Sequence, residues 1–232
     1  MTKQTSAFTL IELLIVIAII AVLAGLAVPA LTNALTRGQM TGTMNNARQL
    51  YLAGFQMATD GSTNSDPSLS WPGGAQPEIT TLQQYCQTLV QNDYLKSGDL
   101  QKILTAPGAN ASVTSSSGGA GGNTTVNISG RSGLKIYKVA EGDASNTLFA
   151  VSANYVYNTA LATTGIPYGD KGFVVMRKGG DAAIFRKNQA TKNGWSNDDK
   201  KFRAAIGVLP GDAGDDTAAT GDGDKALTNP SG

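Results

Sequence analysis

The distribution of apolar positions divides the chain into two regimes. From Leu13 to Thr36 no side chain is ionisable, and most positions are Leu, Ile, Val or Ala. The apolar run from Phe8 to Leu31 is 24 residues, about 36 Å as a helix and enough to span a bilayer. Beyond it the pattern becomes one-sided. Met40, Met44, Ala47, Tyr51, Phe55 and Ala58 recur at steps of three to four, one apolar stripe of an amphipathic helix. Asp60-Gly61 is the expected stop. A helix from Phe8 to about Thr59 is roughly 80 Å long. Pro29 lacks an N–H and weakens the ladder near Gly25, so Gly25 and Pro29 mark the expected flexible point. A simple kink is the equal alternative. Gly38 and Gly42 are further soft points.

The remaining residues read as a head, 61–232. Residues Gly61 to Glu78 form a loop centred on Trp71-Pro72-Gly73-Gly74. Leu82, Tyr85, Cys86, Leu89 and Val90 fall on one face of a short helix. Ser97-Gly98-Asp99 starts a further turn carrying Leu100, Ile103 and Leu104. Residues 109–133 are rich in Gly, Ser, Asn and Thr and read as a long exposed loop. Strands are expected over Leu134–Val139, Thr147–Val151, Phe173–Arg177 and Ala182–Arg186, the last two joined by Lys178-Gly179-Gly180-Asp181 as a hairpin. A last short helix covers Asn197–Ala205, and 211–232 reads as a flexible Asp/Gly-rich tail. The expected class is α+β: a long N-terminal helix, apolar over 8–31 and amphipathic over 32–60, packed on a small antiparallel sheet.

Composition narrows the chemistry. The 232 residues carry a net charge of +1, so no strong polyanion field is implied. There is no histidine, which removes the commonest general base and metal ligand. Cys86 is the sole cysteine, so no internal disulfide can form. No nucleophile motif, phosphate loop or metal-ligand spacing is present, and an enzyme is not expected. The Lys and Arg residues between Lys171 and Arg203 read as guards of a sheet edge rather than a nucleic-acid surface. Asp212, Asp215, Asp216, Asp222 and Asp224 are dense enough to suggest calcium, though no complete EF-hand spacing exists and a solvated tail is the plainer reading. Asn110, Asn123 and Asn127 each begin an Asn-x-Ser/Thr triplet, a glycosylation signal that this composition also produces by chance.

One charge disturbs the apolar segment. Glu12 lies inside it, and no basic residue occurs between Lys3 and Arg37. Cleavage after the small residue Ala7 would leave the apolar segment on the mature protein, unlike secretory signal processing. The order Phe8-Thr9-Leu10-Ile11-Glu12 followed by a long apolar helix resembles the N-terminus of type IV prepilins, a family that includes type IV pilins and the pseudopilins of type II secretion. Pro29 matches a helix proline common in that family. Most members carry Gly where this chain has Ala7. The close resemblance covers about 30 residues.

The resemblance implies the pilin fold and a leader, residues 1–7, cut by a prepilin peptidase between Ala7 and Phe8. It implies N-methylation of Phe8, and subunit assembly through Phe8 and Glu12: the Glu12 carboxylate of an incoming subunit pairs with the Phe8 amine of its neighbour. The implied partners are copies of the same chain in a helical filament, the inner membrane before assembly, and an inner-membrane assembly platform with its ATPase. The precursor is expected as a single-pass inner-membrane protein with a cytoplasmic N-terminus, then as an extracellular filament. A periplasmic pseudopilus of a secretion or DNA-uptake system is the alternative, and a membrane-anchored periplasmic enzyme or binding protein a remoter one. Major pseudopilins carry a calcium site near the C-terminus, and many pilins close that region with a disulfide.

Overall fold

The computed structural model describes residues 9–116, 124–212 and 217–230. The chain divides into two compact units, Met1–Gly38 and Gln39–Gly232. Helix α1, Leu10–Asn64, starts in the first and ends in the second. It extends past the expected stop at Asp60-Gly61. Gly61 packs on the backbone of Leu69, where a Cβ would collide, and its carbonyl accepts the Asp66 N–H at 2.9 Å. The close approach, not a chain break, explains that glycine.

In the first unit the large apolar side chains from Leu10 to Leu35 are all exposed. This stretch is long and apolar enough to cross a membrane by length and composition. The helix runs through Pro29 without a break.

In the second unit α1 buries Met40, Thr43, Ala47, Leu50, Tyr51, Gly54, Met57, Ala58 and Gly61. The buried face is rotated from the expected stripe. Thr43 replaces Met44, which is half-buried, and Gly54 replaces Phe55, which is 49% exposed. Gly54 and Gly61 let the head approach the helix backbone, while Met40, Leu50, Tyr51 and Met57 fill the contact beside them.

Helix α2, Leu82–Gln91, buries the five residues that its periodicity selects, and Thr81 with Gln84 forms a capping box at its start. Helix α3, Ser97–Leu104, buries Leu100, Ile103 and Leu104. Strands β3 (Leu134–Ile136), β4 (Leu148–Ser152), β5 (Gly172–Arg177) and β6 (Ala182–Arg186) form an antiparallel sheet in the order β3-β4-β5-β6. The β5–β6 hairpin turns where the Gly-Gly pair predicts it: Gly180 has φ 89° and its N–H donates to the Arg177 carbonyl. Helix α4, Asp199–Ile206, is capped by the Asp198 side chain. The core joins α1, α2 and the sheet through Tyr51, Trp71, Tyr85 and Phe149, whose rings meet at centroid distances from 5.6 to 6.4 Å.

Two further expectations are corrected. The stretch 109–133 is not a single loop: it holds β1 (Ser112–Ser116) and β2 (Thr125–Ser129), an antiparallel pair. Val126 and Ile128 are buried between exposed polar neighbours, a period-2 signal masked by the surrounding Gly and Ser. Glutamine amides satisfy the outer edges of this pair. Gln101 donates to the Ala111 carbonyl at 2.7 Å and accepts the Val113 N–H at 2.6 Å. Gln87 bridges the Thr124 carbonyl and the Val126 N–H in the same way. Each amide supplies one donor and one acceptor, as a neighbouring strand would.

Nor is the C-terminal region a solvated tail over 217–230. The Leu227 N–H donates to Ile136 at 2.8 Å, and the Lys138 N–H to the Lys225 carbonyl at 2.7 Å, alongside β3. Thr228 bridges to Thr81 at the start of α2, and Leu227 is buried.

Candidate assembly site

The N-terminal end of α1 carries the acid that the sequence singles out. Thr9 precedes the helix, and Glu12 lies in its first turn. The Glu12 carboxylate accepts the Thr9 N–H at 2.8 Å and the Thr9 hydroxyl at 2.6 Å. This matches the Thr-x-x-Glu capping pattern, in which the glutamate reaches back to the cap residue. Within a single chain Glu12 is therefore held by Thr9. The Thr9-x-x-Glu12 spacing is the sequence signal for this contact, and it gives Thr9 a capping role beyond its place in the motif. Ala7 and Phe8 lie outside the described residues.

Around Glu12 the surface is uniformly apolar. Ile11, Leu13, Leu14, Ile15 and Val16 are all about half exposed or more. Exposed apolar patches of this extent mark contacts with a membrane or with other protein. Farther along, Pro29 has no N–H to offer the Gly25 carbonyl. The Thr32 hydroxyl donates to the Pro29 carbonyl at 3.0 Å, and Thr36 to Thr32 at 2.9 Å. Gly25 has nothing near its Cα that a side chain would meet.

The structure disperses the candidate calcium residues. Asp222 Oδ2 lies 2.5 Å from Lys135 Nζ, and Asp222 Oδ1 accepts the Tyr137 hydroxyl at 2.7 Å and the Tyr157 N–H at 3.1 Å. Asp212 pairs with Arg203 at 2.8 Å. Asp224 lies 3.9 Å from Lys225, and Asp215 and Asp216 fall outside the described residues. Among the described residues no group of three or more His, Cys, Asp or Glu is placed to hold a metal. Asp222 and Asp212 already face cations of the chain, which does not fit a calcium site at these carboxylates. Of the glycosylation candidates, Asn127 is exposed on β2, the Asn110 side chain accepts the Arg131 N–H, and Asn123 lies outside the described residues.

Comparison with known proteins bears on the helical N-terminus. The family model described as the prokaryotic N-terminal methylation motif matches residues 2–28. The chain carries a prokaryotic N-terminal methylation motif. A type IV major fimbrial protein FimA of Dichelobacter nodosus is 37% identical over 71 residues, 31% of this chain and 46% of that protein. A probable minor fimbrial protein of the same organism is 46% identical over 61 residues, 26% of this chain and 38% of that protein. Another FimA is 28% identical over 165 residues, 71% of this chain and 79% of that protein. The chain thus spans under half the length of the first two relatives. No solved structure matches it. A long apolar helix joined to small antiparallel sheets agrees with the α+β pilin fold.

Proposed function

We propose that this chain is a structural subunit, not an enzyme, that polymerises into a type IV pilus-like filament after residues 1–7 are removed and Phe8 is N-methylated. The observation that carries this reading is the exposed apolar helix surface with one acid in its first turn. The precursor rests in the inner membrane through the apolar stretch, with Lys3 favouring a cytoplasmic N-terminus. A charge at membrane depth costs roughly 2.5 to 3.5 kcal/mol on insertion scales. Thr9 holds the Glu12 carboxylate but supplies no opposite charge. A prepilin peptidase cutting between Ala7 and Phe8 creates a cationic amine close to that depth. Glu12 of an incoming subunit then pairs with the Phe8 amine of a neighbour, while packed helices replace lipid. The pair sets the axial step. The missing hydrogen bond at Pro29 lets the segment near Gly25 unwind as subunits pack.

Mass spectrometry of surface filaments tests the reading. A mature N-terminus at Phe8 bearing one methyl group is expected. Glu12→Ala is expected to leave cleavage intact and to abolish filaments; normal filaments from that variant overturn the pairing. Long surface fibres containing this chain identify a pilus, and a short periplasmic assembly identifies a pseudopilus.

A further inference from the structure

The head carries a basic patch where its part of α1 begins. Tyr168 holds that first turn, its hydroxyl donating to the Gln39 carbonyl at 3.1 Å and sharing a hydrogen bond with Thr43. Met40 packs against Gly172, the first residue of β5. Lys171 precedes Gly172, and Gly172 pairs across the sheet with Arg186, which Lys187 follows. Lys171, Arg186 and Lys187 are all exposed. The acid identified among them is Asp170, 2.6 Å from Lys187. Both Lys187 and Lys171 hold the Asp170 carboxyl below the usual carboxylate range, Lys187 by a hydrogen bond and Lys171 by its charge. Three cations against one acid leave an excess of positive charge beside Gln39 and Met40.

Chain connectivity gives this patch a location. The uncharged stretch ends at Thr36, three residues before Gln39. If that stretch spans a bilayer, Gln39 and Met40 emerge at its surface, and so does whatever packs on them. Clustered Lys and Arg beside a membrane span attract anionic headgroups, an attraction that falls off within a Debye length. We infer that Lys171, Arg186 and Lys187 dock the head of the unassembled subunit on anionic phospholipid headgroups. The docking sets how the head stands on the membrane from which it is extracted. This inference rests on the membrane-spanning reading above.

The test uses the full chain reconstituted in vesicles, with Thr164→Cys, an exposed position in the same loop, carrying a donor dye. The acceptor is a headgroup-labelled lipid. Energy transfer is expected to be higher in vesicles containing phosphatidylglycerol than in pure phosphatidylcholine. The increment is expected to vanish in high salt and in the triple variant Lys171→Gln, Arg186→Gln, Lys187→Gln. Equal transfer in the two lipids, or an increment that survives the triple variant, overturns the inference. Vesicle flotation after carbonate washing reports insertion separately. Floating protein with no anionic-lipid effect defeats the docking alone, and protein that does not float defeats the membrane-spanning reading.

Discussion

Lys135 and Asp222, 87 residues apart, meet at 2.5 Å with their side chains 14% and 13% exposed. The Lys135 ammonium also donates to the Tyr155 carbonyl at 2.6 Å. Together with Tyr137 and the Tyr157 N–H, this pair fastens the C-terminal segment to β3. The single cysteine of this chain leaves no covalent way to close that region. Removing one member of a nearly buried ion pair strands the other. Asp222→Ala is therefore expected to destabilise the head by roughly 3 kcal/mol or more in urea unfolding. The double variant Lys135→Met, Asp222→Leu removes the stranded ammonium but leaves the Tyr137 hydroxyl and the Tyr157 N–H without their acceptor, so only partial recovery is expected. A single variant with wild-type stability counts against the fastening role.

The glutamine contacts on the small hairpin predict a local effect. In Gln87→Ala the Val126 N–H loses its acceptor, and Val126 is fully buried. An unsatisfied buried amide costs roughly 1 to 3 kcal/mol. Hydrogen exchange at Val126 is expected to accelerate while the β5 amides keep their protection. Uniform acceleration across both sheets would show global destabilisation instead.

These contacts also mark where the sequence was opaque. α2 and the β5–β6 hairpin were legible because periodicity and a Gly-Gly turn are local signals. The β1–β2 pair was not, since its edges are completed by Gln87 and Gln101 from distant helices. The fixed C-terminal segment was hidden for the same reason: Asp222 reads as one acid among several until Lys135 is beside it. At the assembly site Glu12 stood out as a charge in an apolar run. Its hold by Thr9 is readable in the Thr-x-x-Glu spacing, whereas a partner on another chain leaves no local signal.

Gly54 predicts a steric effect with a specific remedy. A Cβ there would collide with the Tyr85 hydroxyl. Gly54→Ala is expected to destabilise the head by about 1 to 3 kcal/mol despite its better helix propensity. Tyr85→Phe removes the colliding atom, and the double variant is expected to regain most of the loss. Cys86, fully buried beside Tyr85, offers a readout, because burial pushes its thiol pKa up and slows its reaction. Thiol modification is expected to be faster in Gly54→Ala than in the double variant. Failure of Tyr85→Phe to rescue would place the strain elsewhere.

Alkaline pH should unfold the head through its tyrosines. Desolvation is the leading cause of a raised pKa at Tyr51, Tyr85, Tyr94, Tyr137, Tyr155, Tyr157 and Tyr168. These are all seven tyrosines of the chain. Tyr94, whose hydroxyl donates to Asp60 at 2.8 Å, is pushed up to about 12. In the unfolded chain a phenol titrates near 10. Each folded pKa lies above that value, so the fold binds the phenolic proton more tightly. The corresponding stability is complete below about pH 10 and is lost as pH rises through the folded values. Absorbance at 295 nm is expected to stay flat to about pH 10, then rise cooperatively together with loss of far-ultraviolet circular dichroism. Tyr94→Phe removes one such group and its hydrogen bond to Asp60. It is expected to lower stability at neutral pH while making unfolding less steep in pH above 10. Independent, non-cooperative ionisation of the tyrosines near pH 10 in an intact fold would refute the burial on which this prediction stands.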